Sequence, residues 1–410
     1  MVNYKTAPDK KQNPTSAAKS KKKTAKVKKP NFFLLTLAYC IAAPILKFKY
    51  KTTYDKRGVK GINGPALVLC PHVSNIDFIL VAVTLFPHRP TFVVSEHFMA
   101  KPLIRKLLNT MHVIPKKMFC ADIKTIMNIL RAKDSGNIIV LFPEGRLPSI
   151  GHSLQVTDGT ADLVKKMGVD VYIITENGAY KTLPKWGKAG LRAGKMEVTT
   201  SKLFNADEIK DLTVSQINDA IEAAILHDED NILENVKYKC KAPALGLDGV
   251  LYKCPQCMAE FEMTSDNYNI SCNRCGFSSR LDNYYVLHGG PFEKINHWYF
   301  WQEELLNLDE PLESETILAV PGPDGNMNRN AGYGKIYMDL DVIKFSGQCF
   351  GEPLEFTEKT SDIKAFPMSV GDHFDMYHKK KMYNFILQPD PRQVVKWTLY
   401  LDKVTKEAGH

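Results

Sequence analysis

No apolar run in these 410 residues reaches the roughly 20 positions that a helix needs to cross a bilayer. The longest, Phe32 to Leu46, would span about 22 Å as helix against a hydrocarbon core of about 30 Å, and Pro44 interrupts its end. Residues 31–46 are therefore expected to lie as an interfacial helix in one leaflet, with a spanning helix or an uncleaved signal sequence as alternatives. Acid is scarce before that segment: in residues 1–30, Asp9 alone opposes Lys19, Lys21, Lys22, Lys23, Lys26, Lys28 and Lys29. Apolar periodicity is missing there too, which predicts a disordered basic tail. The lysine run has no interleaved aromatic or arginine side chains, so no nucleic-acid partner is expected. A secretory cleavage site is absent, and four of the nine cysteines form paired Cys-x-x-Cys units. This argues against a disulfide scaffold and for a reducing, cytosolic side. A lysine tail beside a half-inserted apolar helix supplies the two signals needed for peripheral or monotopic attachment, here to the cytoplasmic face of a membrane carrying anionic lipid.

What is present begins with length, since 410 residues exceed one ordinary core and 44% hydrophobic content supports globular domains. In Ala66 to Phe78, the apolar strand Leu67-Val68-Leu69 is stopped by Pro71 and delivers His72 to a strand's carboxyl end. Ser74 and Asp77 have capping-box spacing, which predicts a helix over about 75–86. With His72 just outside that helix and Asp77 in its first turn, the carboxylate can hold one imidazole nitrogen and leave the other toward a substrate hydroxyl. A merely capped helix is the alternative. A second buried strand, Asn137 to Phe142, ends in Glu144, Gly145 and Arg146. Strands over 90–94, 111–115 and 169–175 alternate with helical faces at Leu103, Leu107 and Leu108 and at Ile123, Ile126, Met127 and Leu130. That rhythm predicts an α/β domain over 47–235, with a mostly parallel sheet and a site at the strands' carboxyl ends.

Together the two stretches resemble the glycerolipid acyltransferase family of the 1-acylglycerol-3-phosphate acyltransferase type, whose members carry His-x-x-x-x-Asp and then Phe-Pro-Glu-Gly. The match runs on through Gly151, Ser153, Asp158 and Gly159, while Pro71 stands where members have Asn and Ile150 where a variant has Thr. The resemblance implies an O-acyltransferase of glycerophospholipid biosynthesis. Its donor would be an acyl-CoA or acyl carrier protein thioester, and its acceptor the hydroxyl of lysophosphatidate or glycerol 3-phosphate. His72 would be the general base and Asp77 its orienter, with no cofactor needed for catalysis. Glu144, Gly145 and Arg146 would bind the acceptor. Lys116 and Lys117, following an apolar strand, are candidates for the acceptor phosphate, with plain surface charge as the alternative. Rival readings are another lysophospholipid acceptor, or a membrane-tethered scaffold whose acyltransferase domain is vestigial.

Cys254-Pro255-Gln256-Cys257 and Cys272-Asn273-Arg274-Cys275 are separated by fourteen residues, close to the spacing of a structural four-thiolate zinc site, and predict a zinc ribbon over 236–282. Four thiolates leave no open coordination position, so a structural metal is expected; Cys240 reads as a spare thiol. Residues 283–410 show no catalytic constellation. Gly334 to Phe345 alternates as a strand pair, further strands surround Phe374 and residues 383–387, and Asp390-Pro391 opens a helix with Val394, Trp397, Leu401 and Val404 on one face. This predicts a small α+β domain, mainly β with a C-terminal helix, similar to a PH or GRAM-like domain and implying lipid or protein docking. His288, His297 and Trp298 read as core or surface residues.

Overall fold

The computed structural model describes residues 26–118, 122–322, 324, 326–379 and 381–407, so most of the basic tail expected over 1–30 lies outside the described residues. Helix α1 (Phe32–Pro44) is capped by Asn31, whose side chain accepts from the Leu34 N–H. The sequence places its end near Leu46, but helix continues as a wider π-type turn over Ile45–Lys49. Pro44 offers no N–H to the helical ladder and its ring crowds the carbonyl four residues back, which accounts for the widening. The resulting 18 residues, Phe32–Lys49, are long and apolar enough to cross a membrane. They are nevertheless docked on the protein: Leu35 is buried and Tyr39 stacks on Phe86 with ring centroids 4.0 Å apart.

Seven strands form the first sheet: β1 (Thr53–Asp55), β2 (Ala66–Leu69), β3 (Thr91–Ser95), β4 (Ile114–Lys116), β5 (Ile138–Leu141), β6 (Asp170–Asn177) and β7 (Glu197–Phe204). Their order is β1-β7-β6-β2-β5-β3-β4, parallel at every pairing except β6 with β7. The helices are α2 (Asp77–Leu85), α3 (Pro102–Thr110), α4 (Ile123–Asp134), α5 (Thr160–Met167), two short turns α6 (Ala179–Thr182) and α7 (Glu208–Asp211), and α8 (Val214–Ile225). Strand β2 is central and wholly buried, because both of its faces are covered. Leu67 and Leu69 join the core of Ile129, Val164, Ile217 and Ile221 from α4, α5 and α8. Ala66 and Val68, displaced by the pleat, join Leu80 and Val83 of α2.

Helix α2 is shorter than expected: it begins at Asp77 rather than near Asn75 and ends at Leu85. Only half of the capping box forms, since Asp77 Oδ2 accepts the Ser74 N–H at 2.8 Å while the Ser74 hydroxyl donates to the Leu183 carbonyl at 2.9 Å.

The second half is antiparallel. Strands β8 (Met263–Ser265), β9 (Asn269–Cys272), β10 (Ser278–Leu281) and β11 (Leu287–His288) make a small sheet that reaches past Asp282. Helix α9 (Ile295–Glu304) follows, with Trp298 buried and its indole N–H donating to the Lys253 carbonyl at 3.0 Å. A seven-stranded sheet then comprises β12 (Leu312–Pro321), β13 (Met327–Met338), β14 (Val342–Cys349), β15 (Glu352–Lys359), β16 (Met368–Ser369), β17 (His373–His378) and β18 (Lys381–Gln388), closed by α10 (Val394–Glu407). The expected hairpin at Gly334–Phe345 is β13–β14, and the expected apolar helix face is that of α10, whose Trp397 stacks on Phe374 at 5.9 Å. One contiguous core links both halves, from Leu46 and Trp186 through Trp298 to Trp397 and Val404.

Candidate active site

The backbone that leads out of β2 fixes the first two site residues. Cys70 N–H still bonds the Leu141 carbonyl at 3.2 Å, and Pro71 then ends the pairing. His72 Nδ1 lies 3.0 Å from Asp77 Oδ2. Asp77 is fully buried, whereas the His72 side chain is 27% exposed and its ring leans on Phe142 at 4.6 Å. An ionised carboxylate only accepts, so Nδ1 carries the hydrogen; in the neutral imidazole Nε2 then keeps its lone pair, and it has no protein partner among the described residues. Burial pushes the Asp77 carboxyl upward, and the bond to His72 opposes that push.

Glu144, expected to bind the acceptor, holds two backbone N–H groups. It is buried, its Oε1 accepts the His72 N–H at 2.9 Å, and its Oε2 accepts the Leu154 N–H at 2.8 Å. Both oxygens are engaged by backbone, so the carboxylate ties His72 to the loop at Leu154. Gly145 permits the turn, with φ +73° and its N–H on the Phe142 carbonyl at 3.2 Å. Burial raises the Glu144 carboxyl to about 7. A third acid, Glu176 on β6, escaped the sequence reading. It is fully buried with neither oxygen hydrogen-bonded, and burial followed by the charges of Asp77 and Glu144 drives its carboxyl far up. The available signal was an acid set immediately after the apolar run 169–175.

Arg146 is engaged by the far half of the chain. Its Nη2 donates to both oxygens of Asp402 on α10 at 2.6 Å, and its Nη1 reaches the Phe366 carbonyl at 3.4 Å. The two side chains are only 12% and 16% exposed. A cavity of about 670 Å³ lies here, lined by Lys116, Glu144, Gly145 and Arg146 from the first half and by Phe300 and Asp402 from the second. Burial lowers the Lys116 ammonium from its ordinary range. Lys117 is exposed and does not line the cavity. Lys185, whose Nζ donates to the Leu147 carbonyl at 2.8 Å, is pushed down to about 7, first by burial and then by the Arg146 charge.

The four predicted thiols come together. The Sγ atoms of Cys254, Cys257, Cys272 and Cys275 all lie within 4.8 Å of one another, with Cys254–Cys275 at 3.6 Å and Cys257–Cys272 at 3.7 Å. A tetrahedron with zinc–sulfur bonds of about 2.3 Å has edges of about 3.8 Å, so the cluster is shaped to hold a metal. Each knuckle turns through a positive φ, at Met258 and at Gly276. Cys240 stands apart, with its sulfur accepting the Ala242 N–H at 3.4 Å.

Residues 48–176, which contain His72, Asp77, Glu144, Arg146 and Glu176, match the family model described as Acyltransferase. Among solved structures, the chain is similar to the 1-acyl-sn-glycerophosphate (LPA) acyltransferase PlsC from Thermotoga maritima. The likeness has 14% identity and a TM-score of 0.41, covering 47% of this chain and 77% of that one.

Proposed function

We propose that the chain moves a fatty acyl group from an acyl-CoA or acyl carrier protein thioester to the hydroxyl of lysophosphatidate or glycerol 3-phosphate. The observation that carries this reading is the His72 Nδ1–Asp77 Oδ2 bond of 3.0 Å with Nε2 left open. Nε2 takes the hydroxyl proton as the acceptor oxygen attacks the thioester carbonyl. The carbon–sulfur bond then breaks, and the imidazolium gives its proton to the leaving thiolate. Asp77 supports the transient positive charge, and Lys116 and Arg146 face the acceptor side. A second reading, acylation of another lysophospholipid, is favoured by one feature: Asp402 already neutralises Arg146, which suits a phosphodiester better than a doubly charged monoester.

The exposed α1 side chains Phe33, Leu37 and Ile41 support attachment to an anionic membrane, read here as a cytoplasmic face. The four-thiol cluster supports a structural zinc ribbon, and the β12–β18 sheet with α10 supports a PH or GRAM-like docking domain. The deciding experiment incubates the detergent-purified full chain with both thioester types against glycerol 3-phosphate and a panel of lysolipids, following thiol release. Release with a defined acceptor, cut about 100 to 10,000-fold in His72→Ala, is expected. No release from any pair, or equal release by the variant, would overturn the assignment.

A further inference from the structure

A second concave site lies away from the dyad, where the chain enters α1. It is a depression of about 870 Å³ lined by Lys28, Lys29, Arg89, Arg105, Lys106 and His112. No carboxylate lines it among the described residues, and Lys28, Lys29, Arg105 and Lys106 have no acidic partner there. Clustered like charges repel, so an arrangement of this kind is stabilised when an anion enters it. Its placement separates it from the chemistry. Arg89 precedes β3 and His112 precedes β4, so the basin sits at the amino ends of the strands, whereas His72 follows the carboxyl end of β2.

The flanks of the basin are apolar. On α1 and the turn that continues it, Phe33, Leu37, Ile41 and Ile45 recur at every fourth position and are 83%, 58%, 57% and 47% exposed. On α3, which buries no residue, Leu103 and Leu107 are 81% and 51% exposed, while Arg105 and Lys106 line the basin. A free phosphate compound would leave these apolar faces in water, but a lipid leaflet satisfies both parts. We propose that the basin takes the headgroup phosphate of an anionic phospholipid, and that α1 and α3 lie side by side in one leaflet as a two-helix docking face. Cations at both ends of α1, Lys28 and Lys29 before it and Lys47 and Lys49 after it, suit a helix lying flat. Its docking through Tyr39 on Phe86, at the end of α2, leaves the other side for lipid. The proposal rests on the interfacial reading of α1 and adds a headgroup site and a second helix to it.

The test uses the full chain and co-sedimentation with phosphatidylcholine vesicles, with and without one-fifth phosphatidic acid. Each basic side chain near an anionic surface strengthens attachment by about fivefold, so Arg105→Gln with Lys106→Gln should weaken binding to the anionic vesicles by about 25-fold and leave neutral vesicles unaffected. Leu103→Ser with Leu107→Ser should weaken binding to both. Unchanged anionic-vesicle binding by the first pair would overturn the headgroup site. Unchanged binding by the second pair, with a change in mass by light scattering instead, would make this face an interface between copies and overturn the leaflet. Vesicle binding is read without turnover, so absent thiol release would sink the acyltransfer reading and leave this one standing.

Discussion

Glu144→Gln is the substitution that separates a brace from an acceptor contact. It preserves volume but removes an acceptor. The N–H groups of His72 and Leu154 each need one carboxylate oxygen, at 2.9 and 2.8 Å, and an amide offers only one. One N–H must then face an NH₂ group, at a cost of about 1–3 kcal/mol for an unsatisfied buried donor. Relief comes by moving one of the two loops, and displacing a catalytic group by about 1 Å costs on the order of 100-fold. We therefore expect kcat to fall on the order of 100-fold in a thiol-release assay, with the acceptor KM within about threefold of wild type. Stability gives an independent handle. The Glu144 carboxyl, ordinarily 4.5, lies at about 7 in the fold, so the folded state holds this proton more tightly than the unfolded chain. The stability from that difference is present below about 4.5 and lost as pH rises through 7, on the order of 3 kcal/mol in total. Gln has no such dependence, so the stability gap between wild type and variant, measured by urea unfolding, should narrow between pH 5 and 8. A raised KM at unchanged kcat would refute the brace, and a gap constant with pH would refute the buried, proton-holding carboxyl.

His72→Ala and Asp77→Asn should both keep the fold by circular dichroism and lose about 100 to 10,000-fold in turnover, His72→Ala the more severely; near-normal rates in both would remove the pair from the chemistry. One zinc per chain is expected by metal analysis, falling to none when Cys254 and Cys257 are replaced by Ser, and undiminished metal would discard this ligand set. Asp402→Ala should destabilise by about 2–3 kcal/mol in urea, below the fully buried range because the pair is partly hydrated, while Asp402→Asn should lower the KM for phosphate-bearing acceptors by freeing Arg146. Unaltered stability in the first and unaltered KM in the second would make that pair a surface contact of no consequence.

The site residues that could be read from the sequence are those fixed by local chain geometry. His72 and Asp77 are five residues apart across a strand-to-helix turn, so the bond between them follows from the turn itself. The four cysteines likewise sit on two tight knuckles. What spacing does not carry is the identity of a distant partner. Glu144 meets His72 across 72 residues, Ser74 gives its hydroxyl to Leu183 across 109, and Arg146 meets Asp402 across 256. Each of those encounters adds a partner that local spacing does not supply. Strand β12 was missed because Glu313 and Glu315 alternate with the buried Ser314 and Thr316, so its inward face starts polar. Glu176 was passed over because an acid just past an apolar run looks like a strand's solvated end.

The reach of Arg146 to Asp402 also sets an order of events during synthesis. At about 5–20 residues per second, a separation of 256 residues means that the guanidinium leaves the ribosome tens of seconds before its carboxylate does. During that interval the dyad can form, since β2, α2 and β5 are already made, but the cavity lacks the wall that α9 and α10 provide. Side chains such as Trp186 and Tyr180, whose core continues into the later half, are only partly covered. The first half of the chain therefore waits, with His72 and Asp77 already able to pair and the cavity open on one side, for a helix made hundreds of residues later.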